Sequence, residues 1–128
     1  MSETNEYPQL YLQGIELFNQ EEFFECHDVL EELWTDWVGP ERRFFQGLIQ
    51  VSVSLFHFGN SNFVGARKLY HASRGKLEPY APQFMGLDLD KFLGDYEHCF
   101  EEIIAATEYP KDAELHADRI PKIALQVS

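Results

Sequence analysis

The 128-residue sequence predicts an all-α protein, a bundle of about five helices followed by an extended C-terminal tail. Apolar residues recur at the spacing of one helix face, in segments that Pro and Gly separate. Strict apolar–polar alternation, which is typical of strands, occurs only near the end of the chain. We therefore expect a single domain over residues 1–128, with a helical core of about 8–107 and a tail of 108–128.

The first two helices are predicted from Pro8 onward. Proline is favoured in a first helical turn, so helix 1 is expected to begin at Pro8 and to end near Asn19. Asn19 is also predicted to cap helix 2, with Glu22 completing a capping box. Helix 2 then runs to about Val38, and the short link Gly39–Pro40 predicts that helices 2 and 3 form an antiparallel hairpin at the core.

Helix 3, about 40–59, is apolar on nearly every side, which predicts that it is the central helix. Helix 4 is expected to be capped by Asn60 or Ser61 and to stop at Pro79. Asp88 is a good N-cap for helix 5, whose apolar residues follow at helical spacing.

The tail is predicted to lie as an extended strap over the bundle. Pro121 restricts the preceding Ile120 to extended conformations. Ile123, Leu125 and Val127 alternate with other residues, so we expect one side of the tail to be apolar.

The charge of the chain bears on its partners. There are 22 acidic side chains against 10 Lys and Arg, which gives a net charge of -12. Nucleic acids and anionic lipid surfaces are bound through positive charge, so neither is expected as a partner. The longest apolar stretch, 44–58, contains polar residues and is shorter than the ~20 residues that span a bilayer.

The cysteine content and the first residues predict a cytoplasmic location. Cys26 and Cys99 are too few for a disulfide framework, and we expect both to be reduced, buried thiols. Residues 1–6 are acidic and polar, whereas a signal peptide begins with a basic and then an apolar segment.

A candidate site is predicted where helices 2 and 3 face each other. His27 and Glu31 flank the apolar arc of helix 2, so we expect both to face the interior or a cleft. A polar stripe runs along helix 3: Arg43, Gln46, Gln50 and His57. Buried polar groups cost about 1–3 kcal/mol each when unpaired, which predicts that Gln46 and Gln50 pair with the helix 2 residues. His57 lies about 10 Å further along helix 3, so its membership of the site stays open.

The i,i+4 spacing of His27 and Glu31 lets an imidazole and a carboxylate hold a divalent cation between them. A third ligand would be Asp28, His57 or a residue of helix 1 or 4. Nitrogen and oxygen ligands without a thiolate favour Zn, Mn, Fe or Ni. The metal-free alternative is an acid–base pair in which Glu31 orients His27 for proton transfer and Arg43 or Arg42 holds an anion.

Two stretches, 23–34 and 41–50, resemble the helical, functionally uncharacterised family known as domain of unknown function 309. The motif of that family is His-x-x-x-Glu-x-x-Trp, which corresponds here to His27, Glu31 and Trp34. The resemblance implies a helical fold and a site at these residues, for which metal binding has been suggested. Trp34 also falls inside the apolar arc of helix 2, which predicts a place in the core.

Two hypotheses follow. In the first, the protein binds one divalent ion through His27 and Glu31 and is a metal-dependent protein such as a hydrolase. The groups expected to contact these ligands or a substrate are Arg43, Gln46, Gln50 and Trp34. In the second, the cluster is a buried polar network in a non-catalytic structural or interaction module. Both leave open whether the partner is a small molecule, a protein or a second copy of the chain.

Overall fold

The computed structural model describes residues 7–106, 108 and 113–126. These residues form the α-helices α1 (Gln9–Asn19), α2 (Phe23–Asp36), α3 (Arg42–Gly59), α4 (Phe63–Leu77), α5 (Leu89–Cys99) and α6 (Glu101–Ala105). A small antiparallel hairpin, β1 (Gln83–Phe84) and β2 (Leu87–Asp88), precedes α5. The all-α prediction is confirmed. Phe100 divides the fifth predicted helix in two because its backbone leaves helical geometry (φ -100°, ψ 8°).

The predicted antiparallel hairpin of α2 and α3 is confirmed by contacts at both of its ends. The rings of Phe24 and Phe56 lie 5.5 Å apart where α2 begins and α3 ends. At the other end, the guanidinium carbon of Arg42 lies 4.1 Å from the centre of the Trp34 ring.

Helix α3 is the central helix, as predicted, and α4 packs closely against it. A Cβ atom at Gly47 of α3 would lie 2.8 Å from Leu77 Cδ2 of α4. The absence of a side chain at Gly47 therefore sets the distance between the two helices. Gly14 has the same function between α1 and α2, since a Cβ there would lie 2.5 Å from Leu30 Cδ2.

The predicted cap of α2 was wrong. Asn19 is the last residue of α1, and α2 begins at Phe23 with Glu22 at the N-cap position and no side-chain capping hydrogen bond. Between them Glu21 has a left-handed backbone (φ 63°), which ends α1 and moves the cap beyond Asn19. At its other end α2 stops at Asp36, two residues before the predicted Val38.

Helices α3 and α4 also begin later than predicted. Helix α3 begins at Arg42 and not at Pro40. The cap of α4 is Asn62, whose side chain accepts a hydrogen bond from Gly65 N at 3.1 Å. Ser61, predicted as a cap, has a left-handed backbone (φ 62°) and closes the turn after α3. The Asp88 cap of α5 is confirmed by the hydrogen bond that it accepts from Lys91 N at 3.1 Å.

The tail crosses the bundle near the end of α1. Ile120 and Ile123 are buried and Leu125 is half-buried, whereas Val127 lies outside the described residues. Gln126 N donates a hydrogen bond to Gly86 O at 2.7 Å, which joins the tail to the β-hairpin. In the part of the chain that the structure describes, no helix combines the length and the apolar character needed to cross a bilayer.

Candidate functional site

A cavity of about 160 Å³ opens between α2 and α3, and we call it the α2–α3 cavity. It is lined by Phe23, Phe24, His27, Val53, Phe56 and His57. All lining residues other than the two histidines are apolar. Phe24 and Phe56 are large apolar side chains that are 51% and 38% exposed, and their rings are in contact. The cavity is thus an apolar pocket with aromatic rings at the surface.

Helical periodicity places these residues on the two facing sides of the hairpin. On α2, Phe23 and His27 are four residues apart and share a face. On α3, Val53 and His57 have the same spacing. Because the helices run antiparallel, the beginning of α2 lies opposite the end of α3, so the two faces meet at one end of the hairpin.

His27 makes two carboxylate contacts at the edge of the cavity. Its Nε2 lies 3.4 Å from Glu31 Oε2, and its Nδ1 lies 3.3 Å from Asp28 Oδ1. The His27 side chain is 24% exposed, whereas Glu31 is 54% exposed. Glu31 does not line the α2–α3 cavity, so the prediction that it faces the interior or a cleft was wrong. A carboxylate that stays hydrated avoids the desolvation that burial beside neutral amides would require.

The predicted pairing between the polar stripes of α2 and α3 was also wrong. Gln46 and Gln50 are half-buried on α3. Among the residues that the structure describes, no hydrogen bond joins either glutamine to His27 or Glu31, and Gln50 Oε1 is buried without a partner. The expected network does not form because it requires Glu31 to point inward, whereas its carboxylate remains in solvent.

The guanidinium group at the other end of the hairpin belongs to Arg42. Its contact with the Trp34 ring is a cation–π interaction. Trp34 is half-buried at the edge of the core, and its Nε1 is buried with no hydrogen-bond partner. Arg43 was predicted to lie in the polar stripe that faces helix 2, but its side chain is exposed.

The pair His27–Glu31 can supply two ligands to a metal ion. Two atoms bound to one tetrahedral zinc ion at about 2.1 Å lie about 3.4 Å apart. The separation of His27 Nε2 and Glu31 Oε2 is likewise 3.4 Å. Asp28 contacts the other nitrogen of the ring, Nδ1. Over residues 7–106, 108 and 113–126, no group of three or more His, Cys, Asp or Glu side chains is placed to hold an ion.

His57 lies closer to His27 than the sequence predicted, since both line the α2–α3 cavity. Its Nδ1 lies 3.3 Å from Asn62 Nδ2, so this nitrogen faces the turn between α3 and α4. His57 thus lines the cavity, and its Nδ1 contacts Asn62 and not Glu31. Sequence reasoning missed the shared cavity because it followed polar residues and left out Phe24 and Phe56.

The distribution of charge was a second feature that the sequence analysis missed. Residues 1–41 contain eleven acidic side chains and no Lys or Arg. A hydrogen bond with the Glu22 carboxyl group raises the pKa of Glu25, and repulsion from Glu22 and Asp28 adds to this. Counting charges separately along the chain would have shown this asymmetry.

The chain is similar to a known protein family and to a bacterial protein. The model of a family described as "Domain of unknown function (DUF309)" matches residues 11–69, which include α2 and α3. The chain is also similar to the uncharacterized protein YpuF of Bacillus subtilis (strain 168), with 33% identity over 107 residues. That alignment covers 80% of this chain, and the chain spans 62% of the length of that relative.

Proposed function

The chain belongs to the family Domain of unknown function (DUF309), and from the geometry of its site we propose that it is a non-catalytic interaction module that binds a partner through the α2–α3 cavity. The contact between the exposed rings of Phe24 and Phe56 carries this proposal. Exposed aromatic side chains beside an apolar pocket are typical of surfaces that bind other molecules.

The residues around the cavity favour binding over catalysis. Its lining contains no Ser, Thr, Cys, Asp or Glu within the described part of the chain. Next to it on α2, burial raises the pKa of the Cys26 thiol to about 12, so the thiol is protonated at neutral pH. The nearby hydroxyl of Ser52 is buried and donates to the Ile49 carbonyl at 2.8 Å. These groups lack the activation that a nucleophile needs.

A neutral aromatic probe tests the proposal. We expect N-acetyl-phenylalaninamide to shift the backbone amide signals of residues 23–27 and 53–57 in nuclear magnetic resonance spectra, saturably at millimolar concentration. Val53→Phe places a ring in the cavity and should abolish these shifts. Val64→Phe is the matched control, because Val64 is exposed on α4 and does not line the cavity.

Two results would contradict the proposal. The first is a wild-type spectrum that does not respond to the probe. The second is an equal response in wild type and Val53→Phe, provided that thermal unfolding shows both variants to be folded.

Divalent-metal binding is the second candidate function, and the 3.4 Å separation of His27 Nε2 and Glu31 Oε2 favours it. The described residues offer these two side chains, and the remaining ligand positions would be open to water. An ion bound there would lower the pKa of a water ligand and so supply the chemistry of a hydrolase.

Uptake of Co²⁺ and Zn²⁺ tests this second candidate. Calorimetry should show about one ion per chain, and the Co²⁺ complex should absorb in the visible range. His27→Ala and Glu31→Gln should each weaken uptake at least tenfold. Glu32→Gln removes a neighbouring exposed carboxylate and should leave uptake unchanged. Equal metal uptake by wild type and His27→Ala would show that this pair does not bind the ion.

A further inference from the structure

We propose that the occupant of the α2–α3 cavity is a basic peptide segment of a partner protein, which inserts one aromatic or large aliphatic side chain beside Phe24 and Phe56. This inference rests on the proposed function and adds the chemistry of the partner. The size and lining of the cavity define the inserted side chain, and the charge around it defines the residues on either side.

The cavity has the size of one ring. Its volume is about 160 Å³, and an engineered apolar cavity of about 150 Å³ binds benzene. Phe24 and Phe56 contact each other at 5.5 Å, with their planes tilted by 47°. An inserted ring can therefore make edge-to-face contacts with them. Val53 lies on the α3 side of the cavity, where an added ring would occupy the same space.

The surface next to the cavity is negatively charged. On α2, Glu25, Asp28 and Glu31 are exposed around His27. In the described part of the structure, these three carboxylates form no ion pair with Lys or Arg, although Asp28 and Glu31 contact His27. Arg43 lies about 20 Å along α3 from Phe56 at about 1.5 Å per residue, and Arg42 contacts the Trp34 ring at the other end of the hairpin.

Some acidic side chains elsewhere in the molecule do have cationic neighbours. Arg74 contacts Glu78 and Glu97 at 3.3 and 3.5 Å, and Lys91 contacts Asp95 at 2.7 Å. These carboxylates are thus paired with cations, whereas the three beside the α2–α3 cavity contact no Lys or Arg among the described residues. A ligand that brings Lys or Arg to this surface gains electrostatic attraction that a neutral or acidic ligand lacks.

The same charge argues against a second copy docking face to face. A symmetric dimer through this cavity would bring the carboxylates of α2 against their equivalents in the other copy. Like charges at short distance across an interface are unfavourable. The basic segment of a different protein is therefore the occupant that the surface fits.

Four fluorescently labelled peptides test the inference. Three share a central Phe and carry Lys, Ser or Glu at the two positions on each side, and the fourth replaces the Phe of the Lys peptide by Ser. By fluorescence anisotropy at 50 mM NaCl, the Lys–Phe peptide should bind at least tenfold more tightly than each of the others. Its affinity should fall at least tenfold at 500 mM NaCl, because salt screens the attraction.

Matched variants distinguish the contribution of the inserted Phe side chain from that of the flanking Lys residues. Val53→Phe should lower the affinity for the Lys–Phe peptide at least tenfold, and Val64→Phe should leave it unchanged. The double variant Asp28→Asn, Glu31→Gln should bind the Lys–Phe peptide several-fold more weakly than wild type. Its affinity for the Ser–Phe peptide should be unchanged. Asp90→Asn, at an exposed position of α5, is the control for the loss of negative charge.

The outcomes distinguish this inference from the proposed function. If the Lys–Phe and Ser–Phe peptides bind equally well and both lose binding in Val53→Phe, the partner need not be basic and the inference is wrong. The proposed function as an interaction module would still stand. Equal binding of the Lys–Phe peptide to wild type and Val53→Phe would mean nonspecific attraction and would overturn the inference. If light scattering shows a dimer that Val53→Phe dissociates, the occupant is a second copy and the inference is wrong. Failure of all peptides together with the neutral probe would overturn both.

Discussion

Asn19 and Ile123 share two hydrogen bonds, although they are far apart in the chain. The Asn19 side chain donates through Nδ2 to the Ile123 carbonyl at 2.7 Å, and its Oδ1 accepts from the Ile123 N–H at 2.8 Å. The amide thus pairs with the backbone of the tail as a neighbouring strand would. Lys122 adds a hydrogen bond to Asn19 O at 2.9 Å. These contacts fix the tail to the end of α1.

Asn19→Ala should release the tail from α1. The substitution removes both hydrogen bonds from a half-buried backbone, so we expect a loss of about 1–3 kcal/mol in the free energy of unfolding. Urea denaturation measures the loss, and hydrogen exchange at the Ile123 amide should become faster. Gln13→Ala, at an exposed position of α1, is the control and should change neither quantity. Unchanged exchange at Ile123 would contradict the assigned role.

Helical periodicity was sufficient to predict the bundle, whereas its exact boundaries depend on residues that carry no local signal. Glu21 and Ser61 adopt left-handed backbones at the ends of α1 and α3, positions where glycine is usual. Since neither is glycine, the sequence predicted caps too early. Asn19 was assigned to a cap because its actual partner, the tail, lies more than 100 residues away.

The contact between His27 and Glu31 was predictable from their spacing, but the geometry around it was not. An i,i+4 pair shares a helix face, and His27 and Glu31 are in contact as that spacing predicts. Which of the two side chains enters the interface depends on the rotation of α2 against α3. The packing of Phe24 on Phe56 belongs to that tertiary contact and has no counterpart in the periodicity of either helix.

Two helical glycines should respond in opposite ways to alanine. At Gly47 the new Cβ would meet Leu77 at 2.8 Å, so Gly47→Ala should push α3 and α4 apart at a cost of about 1–3 kcal/mol. At Gly75 nothing lies within 4 Å, so Gly75→Ala should stabilise α4 by about 0.5–1 kcal/mol. Thermal and urea unfolding of the two variants check the difference in sign. A Gly47→Ala variant as stable as wild type would mean that α3 and α4 pack less closely.

Tyr96→Phe should cost about 1 kcal/mol despite the complete burial of the side chain. The Tyr96 hydroxyl lies 2.7 Å from Ser54 Oγ and 2.9 Å from Ser73 Oγ. Each serine hydroxyl also reaches a backbone carbonyl of its own helix, so neither is left unpaired when the phenol is removed. Tyr80→Phe, which removes a hydrogen bond at the surface, is the control. A larger loss of stability for Tyr80→Phe would contradict this explanation.

The two thiols should make the protein less stable in alkaline solution. Burial raises the pKa of both Cys26 and Cys99 from 9.0 to about 12. The unfolded chain therefore loses thiol protons above pH 9 while the folded chain keeps them, so stability is complete below pH 9 and falls between pH 9 and about 12. The expected slope approaches about 1.4 kcal/mol per pH unit for each thiol. Buried tyrosines such as Tyr96, whose pKa burial also raises, add to the loss from about pH 10.

Urea unfolding at pH 7.5 and pH 9.8 measures this loss in the wild type and in the double variant Cys26→Ala, Cys99→Ala. The variant should be less stable at pH 7.5, because two buried side chains are truncated, but its stability should fall less between the two pH values. Alkylation with iodoacetamide provides the second measurement. Both thiols should react slowly in the native protein at pH 8 and rapidly in urea, since the thiolate is the reactive form. Equal pH dependence in the two proteins, or rapid alkylation of the native chain, would show that the thiols are not held protonated by burial.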